Sequence, residues 1–318
     1  MRAMVCHRLT PDRSGLAFEP DWPEPTPPGA GEVTIAVAHA ALNYPDVLML
    51  AGGYQFAPPL PFVPGVEGAG RIVAVGDGVD PTLRGREVIV GSRHGLLAER
   101  VTVAVDAVRP CPPGLTLAQG AAFTVAALTA YVGLIRRGRL AAGEQVAVTG
   151  AGGGTGLAAV ALARAMGATV TAIVSTGIKA DAARAAGADT VFVVPRGTTI
   201  PSLPAVDVVF DPVAGRLTPA LLAALNRGGR YLVIGFVGGI AAVTTDNLAR
   251  AEIEVIGVRA GEFARRDPAA GRANLAAIDA LAPRLVPHIG WRGPLTAAAD
   301  AFTAMAAGTL TGKAVVDL

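Results

Sequence analysis

Apolar residues follow two rhythms along this chain. Up to about Leu115 they fall in short β-branched runs, at residues 32–38, 70–76, 86–90 and 99–103, with prolines clustered at 23–28, 58–64 and 110–113 between them. That pattern predicts strands joined by turns. From about Thr116 the texture changes. Helical spacing over 117–133 and 156–166 alternates with strand-like runs at 145–149, 169–174, 190–193, 206–210, 231–235 and 253–258. Such alternation predicts a parallel, doubly wound sheet. After Gly261 a helix is expected near 274–285 and a closing strand at 313–317. The expected architecture is α/β, with a β-rich domain made of residues 1–116 and 261–318 and a domain of alternating strands and helices, 117–260, inserted into it.

Composition narrows the class. The chain's 318 residues suffice for two domains, and 52% hydrophobic against 16% charged residues argues for a globular protein rather than a disordered one. Net charge is +2 with the signs interspersed, so the basic stripe of a nucleic-acid binder is missing. Arg136-Arg137 and Arg265-Arg266 are read as solvated helix ends. The first ten residues lack the apolar core of a signal peptide, and no apolar run is long enough to span a bilayer. Cys6 and Cys111 stand far apart without a C-x-x-C spacing. A cytoplasmic protein without disulfides or membrane partners is expected.

The most informative segment is Gln145-Val-Ala-Val-Thr-Gly-Ala-Gly-Gly-Gly-Thr-Gly-Leu157. A strand runs into a glycine turn and then into a helix, so the turn offers a helix N-terminus to an anion. Ala151-x-Gly153-x-x-Gly156 is the Rossmann dinucleotide fingerprint with alanine in the first place. Gly153 should let the backbone approach a pyrophosphate, and Gly156 should let the helix pack against the strand; Gly154 and Thr155 complete the turn. No Gly-Lys-Ser/Thr follows, which excludes a P-loop. The next strand, 169–174, ends in Ser175-Thr176-Gly177-Ile178-Lys179 and lacks the acid that grips the adenosine ribose in NAD-preferring sites. Ser175, Thr176 and Lys179 can instead donate hydrogen bonds or charge to a 2′-phosphate, so NADPH is the expected cofactor. The competing reading of Lys179 is a solvated lysine at a helix start.

Two further segments carry a family resemblance. Asn43-Tyr-Pro-Asp-Val-Leu-Met49 and Pro58 through Gly76, containing Pro64-Gly-Val-Glu-Gly-Ala-Gly70, resemble the N-terminal signature of the medium-chain dehydrogenase/reductase superfamily. Thr129-Ala-Tyr131, the glycine turn, Phe210-Asp-Pro-Val-Ala-Gly215, Gly235-Phe236 and Gly312-Lys313 extend the resemblance over nearly the whole chain. It is nearest to the zinc-free quinone oxidoreductase and enoyl reductase branch. The resemblance implies a GroES-like catalytic domain, a Rossmann domain whose ligand faces the cleft between the domains, and a homodimer. In zinc alcohol dehydrogenases of the superfamily a cysteine stands where this chain has Asn43 and a histidine where it has Val66. The lobe carrying four cysteines is missing as well, so no metal is expected.

Without a Lewis acid, alcohol oxidation is poorly supported, whereas hydride delivery from NADPH to a quinone or to the C=C of an α,β-unsaturated carbonyl needs only donors for the developing oxyanion. The resemblance makes Tyr54, in Gly52-Gly-Tyr-Gln-Phe56, the candidate acid or substrate-orienting group, with an aromatic pocket wall as the alternative. Asn43 could hydrogen-bond substrate or cofactor, or serve only as a structural turn. Asp46 reads as a local helix cap. The resemblance places Thr129, Gly235, Phe236, Val237, Asn247 and Lys313 near the cofactor, although Thr129 and Lys313 have ordinary structural readings too. The alternative to a reductase is an NADPH-binding protein with a structural or sensing role. A methyltransferase-like fold is a third reading, which the 43–76 signature opposes. Residue patterns do not separate a quinone from a polyketide-type enone or a small enal.

Overall fold

A computed structural model describes residues 1–200 and 202–318, with Asn247 described by its backbone alone. Two compact units result, Met1–Thr124 with Ile289–Leu318, and Val125–His288. Both junctions fall later than the expected residues 117 and 261. The reasons are local packing. In the helix Leu117–Ala121 and the residue after it, Ala118 and Ala122 share an apolar cluster with Ala41 and Val315, and Ala121 packs with Ala69 and Ile89. That helix therefore belongs to the first unit. The helix Pro268–Leu281 belongs to the second, where its buried Asn274 accepts a hydrogen bond from Arg136 Nε at 2.7 Å. Arg136 is thus more than a solvated helix end.

In chain order the strands are β1 (Ala3–Cys6), β2 (Leu16–Glu19), β3 (Glu32–Leu42), β4 (Glu67–Val75), β5 (Glu87–Gly91), β6 (Arg100–Ala104) and β7 (Val108–Pro110). The second unit adds β8 (Gln145–Thr149), β9 (Thr169–Val174), β10 (Thr190–Val193), β11 (Val206–Asp211), β12 (Leu225–Val233) and β13 (Glu254–Gly257). The chain then returns to the first unit with β14 (Ile289–Pro294) and β15 (Lys313–Asp317).

The first unit is a mostly antiparallel sheet ordered β14-β15-β3-β4-β5-β7, with β6 also on β3, beside the hairpin β1-β2. Its core is aliphatic: Val33, Ile35, Leu42, Ile72, Val88, Leu96 and Val316 close around Phe302 of the helix Ala298–Ala307. β15 comes from the far end of the chain and pairs with β3, setting Ala314 opposite Leu42. Lys313, one residue earlier, is thereby brought beside Asn43.

The second unit is a six-stranded parallel sheet ordered β10-β9-β8-β11-β12-β13. Numbered within the unit that is 3-2-1-4-5-6, the doubly wound Rossmann order, whose switch point lies between β8 and β11. Ligands of such sheets bind beyond the carboxyl ends of the strands at the switch point, here after Thr149 and Asp211. Its core packs Ile173, Val209, Leu221 and Tyr231 against each other. Among the described residues no helix is long and apolar enough to cross a membrane.

Candidate active site

In the second unit the chain leaves β8 through Gly150, whose φ of +55° no β-branched residue would hold comfortably, and enters the helix Gly154–Ala165. No side chain caps that helix at Gly153, and the first-turn N–H groups of Gly154, Thr155 and Gly156 find no acceptor among the described residues. The glycines differ in purpose. A Cβ on Gly156 would run into the Gly150 carbonyl and come within 2.7 Å of Ala151 Cα. A Cβ on Gly153 would meet nothing nearer than 3.5 Å. Gly156 is required by packing, whereas Gly153 leaves space on the side an anion would approach. Ala151 is fully buried and its N–H bonds the Ile173 carbonyl at 3.2 Å, anchoring the turn to β9.

Beneath this turn lies a carboxylate that the sequence reading did not single out. Asp211, completely buried at the end of β11, accepts the Thr149 hydroxyl on Oδ1 and the Tyr231 hydroxyl on Oδ2. Oδ1 also accepts the backbone N–H groups of Val213 and Ala214, each at 2.8 Å. Burial, then the charge of Asp211, pushes the Tyr231 phenol well above its usual range, and Thr218 bonds the same hydroxyl at 3.0 Å. The carboxylate thus joins the two switch-point strands. It also holds Ala214 at φ 57° and ψ −145°, a region that glycine normally occupies. The turn in turn receives the loop after β12: Gly238 N–H donates to Val213 O at 2.7 Å and Gly235 N–H to Asp211 O at 3.3 Å. In that loop Phe236 and Val237 are exposed, leaving apolar surface free for a ligand.

At the end of β9, Lys179 lies with its stem on the glycine turn. A Cβ on Gly152 would stand 2.6 Å from Lys179 Cγ. The ammonium reaches Ser175 Oγ at 3.4 Å, and Thr176 is the N-cap residue of the helix Gly177–Ala185 without capping it through its side chain. Lys179 is therefore largely buried rather than a solvated lysine. Burial, then the charge of Arg196, lowers its proton affinity. Thr129 donates its hydroxyl to Val125 O of its own helix at 2.7 Å, so it can meet a ligand only as an acceptor. The Asn247 side chain lies outside the described residues.

The first unit supplies a different cluster. Asn43 follows β3 and is the N-cap residue of the helix Tyr44–Leu50, with Pro45 at the second helical position. Asp46 is completely buried and accepts the Asn43 N–H at 2.9 Å and the Gly65 N–H at 3.1 Å. Asp46 is thus a helix-start residue, as its position suggested. Burial outweighs those bonds and pushes its carboxyl up to about 7. The Asn43 amide donates to Glu67 Oε1 at 2.9 Å and to Ala41 O at 3.1 Å, and its oxygen accepts from Lys313 Nζ at 2.7 Å. Lys313 Nζ also reaches Glu67 Oε1 at 2.5 Å and Leu42 O at 3.4 Å.

Two of the expected site residues are buried. Asn43 and Lys313 are 6% and 5% exposed, and their side-chain donors are all engaged in an internal network. Neither has a donor left for substrate or cofactor. Tyr54 is the reverse case: half-buried, with a hydroxyl that bonds no described residue. Its segment is fixed by Phe56, which stacks on His94 at 6.3 Å and carries the Arg93 guanidinium 4.3 Å above its ring. His94 packs edge-on against Phe62 as well.

Two family models match residues 29–274 between them, the "alcohol dehydrogenase GroES-like domain" over 29–155 and the "zinc-binding dehydrogenase" domain over 154–274. Quinone oxidoreductase-like protein 2 of Rattus norvegicus is 31% identical over 327 residues, covering all of this chain and 92% of that protein. The quinone oxidoreductase of Thermus thermophilus, whose structures include a complex with NADPH, superposes with a TM-score of 0.85 at 33% identity, covering all of both chains. A mycocerosic acid synthase-like polyketide synthase of Mycobacterium tuberculosis is 34% identical over 304 residues, 92% of this chain, which spans only 14% of that much longer protein. The chain belongs to the medium-chain dehydrogenase/reductase superfamily of NAD(P)-dependent oxidoreductases, alongside its quinone oxidoreductase-like members.

The zinc named in the second model's description does not suit the residues present. Val66 offers no ligand, and the ammonium of Lys313 already lies against Glu67 and Asn43, so a second cation there would be repelled. Among the described residues no group of three or more His, Cys, Asp or Glu is placed to hold a metal ion.

Proposed function

We propose that this protein is an NADPH-dependent reductase that transfers hydride to a quinone or to the activated C=C of an α,β-unsaturated carbonyl, without a metal. The observation that carries the reading is the pairing of an uncapped helix N-terminus at the switch point with an acid-free, lysine-bearing end of β9. The Gly154, Thr155 and Gly156 amides would hold the pyrophosphate; Gly153 leaves it room. Ser175, Thr176 and Lys179 would take the 2′-phosphate, and Gly235, Phe236 and Val237 would flank the nicotinamide end. Bound NADPH supplies the hydride. Tyr54, with its uncommitted hydroxyl, would donate a hydrogen bond or proton to the carbonyl oxygen as negative charge builds on it. Asn43, Glu67 and Lys313 would hold the helix preceding Tyr54 in place rather than touch the substrate. The apolar Phe236 and Val237 suit a hydrophobic acceptor, the family resemblance fits a homodimer, and the two free cysteines, Cys6 and Cys111, suit the cytoplasm.

Anaerobic turnover of NADPH against a panel of quinones and enones, with a chelator present throughout, tests this reading. Oxidation of NADPH by at least one acceptor class is expected, at a rate that the chelator leaves unchanged. Loss of activity on chelation, restored by zinc alone, would overturn the metal-free chemistry. The same titrations should show NADPH bound at least about tenfold more tightly than NADH, the effect of one charge-assisted hydrogen bond of about 1.5–3 kcal/mol.

A further inference from the structure

We infer that the acceptor carries an anionic group, a carboxylate or a phosphate, and that Arg93 binds it from the face of Phe56, beside the Tyr54 segment. The inference rests on the reductase reading above and names the class of quinone or enone that the site selects.

Both loops involved belong to the first unit, and the backbone holds them together. β5 ends at Gly91, opposite Glu67 of β4, and the chain then folds back along residues 63–66. The N–H groups of Ser92, Gly95, Leu96 and Leu97 donate to the carbonyls of Val66, Val63, Gly65 and Pro64, at 3.0, 2.8, 3.2 and 2.9 Å. From the other side the helix Tyr44–Leu50 runs into Gly52, whose φ of +74° turns the chain toward Tyr54. The rings then join the two loops. Phe56 meets His94 at 6.3 Å and carries the Arg93 guanidinium 4.3 Å from its centre. Arg93 is thus placed by stacking, on a residue two positions after the proposed proton donor. Two residues of chain cover at most about 7 Å, so one small acceptor can touch the Tyr54 hydroxyl and Arg93 together.

Charge gives the second argument. Residues 47–66 and 91–98 contain no acid, and Arg93 is their one arginine or lysine. Its side chain is exposed and makes no hydrogen bond or ion pair among the described residues. The acids of the adjoining elements are committed elsewhere. Asp46 is buried on the Asn43 and Gly65 amides, Glu67 is buried against Lys313, and Glu99 pairs with Arg2 at 2.7 Å. Burial, aided by the charge of Arg93 and opposed by a bond to Val63, lowers the proton affinity of His94, which is neutral at neutral pH. One uncompensated cation therefore stands on this surface. A guanidinium resting on an aromatic face keeps its in-plane N–H fork free, and that fork matches two oxygens of a carboxylate or phosphate. The ring orients the cation without neutralising it. A neutral quinone or enone would leave the fork unanswered.

The test is anaerobic steady-state reduction by the full chain and NADPH of three matched enones, whose β-carbon carries a carboxyethyl group, its methyl ester or a phosphonoethyl group. Wild type is expected to favour at least one anionic acceptor over the ester by about tenfold in kcat/KM, the effect of one charge-assisted contact, with the gain in KM. Added salt should narrow the margin, since the cation is exposed. Arg93→Ala should abolish the preference, Arg93→Lys should keep part of it, because a lysine retains the charge but not the fork, and Arg93→Glu should reverse it. NADPH affinity, read by titration, is expected to match wild type in all three variants and doubles as the check on folding. If wild type reduces the ester as well as both anions, the inference falls while the reductase reading stands. If none of the three enones, and no quinone, is reduced, the reading and the inference fall together. An equal loss on all three acceptors in Arg93→Ala would mean that the arginine only packs the loop, and a loss of NADPH affinity would assign it to the cofactor; either result overturns the inference.

Discussion

Removing the Asp211 carboxylate should be one of the costliest single changes in the second unit, and the cost can be worked from its partners. Asp211→Ala strips the acceptor from two backbone amides, Val213 and Ala214, and from the Thr149 and Tyr231 hydroxyls. Tyr231 keeps Thr218 at 3.0 Å, but the two amides cannot turn to find another partner. At about 1–3 kcal/mol for each buried donor left unsatisfied, the amides alone cost about 2–6 kcal/mol, and a value near 4 is expected. The strain at Ala214 is then unopposed, so the 212–215 turn should relax and loosen the 235–239 loop that hangs on it. Asp211→Asn should behave differently. Its oxygen in the Oδ1 place still accepts three donors, and its amide can donate to the Tyr231 oxygen once that hydroxyl turns to Thr218. Only the charge assistance is lost, about 1–2 kcal/mol. Urea unfolding followed by circular dichroism measures both, as a shift in midpoint at unchanged slope. Two variants equally destabilised, or both within about 1 kcal/mol of wild type, would refute the view that this carboxylate holds the turn.

Further predictions address the other residues. Tyr54→Phe keeps the ring and removes the free hydroxyl, so single-turnover hydride transfer to an enone should slow by about 2.7–4 kcal/mol of barrier while NADPH affinity stays unchanged; a twofold effect would make Tyr54 a pocket wall. Gly153→Ala should leave the melting temperature close to wild type and weaken NADPH, whereas Gly156→Ala should destabilise the unit itself because its methyl meets Gly150 and Ala151; the reverse pattern in thermal melts and titrations would contradict the roles given to the two glycines. Asp46 titrates in the folded protein at about 7 against 3.8 without burial, so its protonated form is the one folding favours. Its contribution to stability is complete below about pH 4 and is lost as pH rises to about 7; Asp46→Asn should remove that part of the pH dependence, and an unchanged slope would exclude Asp46 as its source.

What could be read from the sequence was whatever depends on neighbours in the chain. The glycine turn belongs to this class, since a strand, a positive φ and a helix start are all encoded within a dozen residues. The roles of Asn43 and Lys313 do not. Asn43 meets Glu67 from 24 residues away and Lys313 from 270, so the saturation of both groups appears only when β15 pairs with β3. A lysine before a final strand and an asparagine in a site signature look available until their partners are placed. The domain junctions moved for a similar reason: the helix Leu117–Ala121 has the composition of the second unit, yet its small alanines fit the sheet of the first. Asp211 was overlooked because it is a single acid ending an apolar run, and it acquires its meaning from the adjacent parallel strands that bring Thr149 and Tyr231 to it.

The most direct test of the reductase assignment is an anaerobic single-turnover reaction of the protein with NADPH deuterated at the nicotinamide hydride position. An enone and a quinone serve as acceptors. The account predicts a slowed transient with the deuterated cofactor and deuterium recovered at the β-carbon of the reduced enone, or a matching slowed transient with the quinone, in the absence of any metal. Tight binding of NADPH with no transfer to either acceptor class would contradict it and leave the protein a binder of the cofactor rather than a reductase.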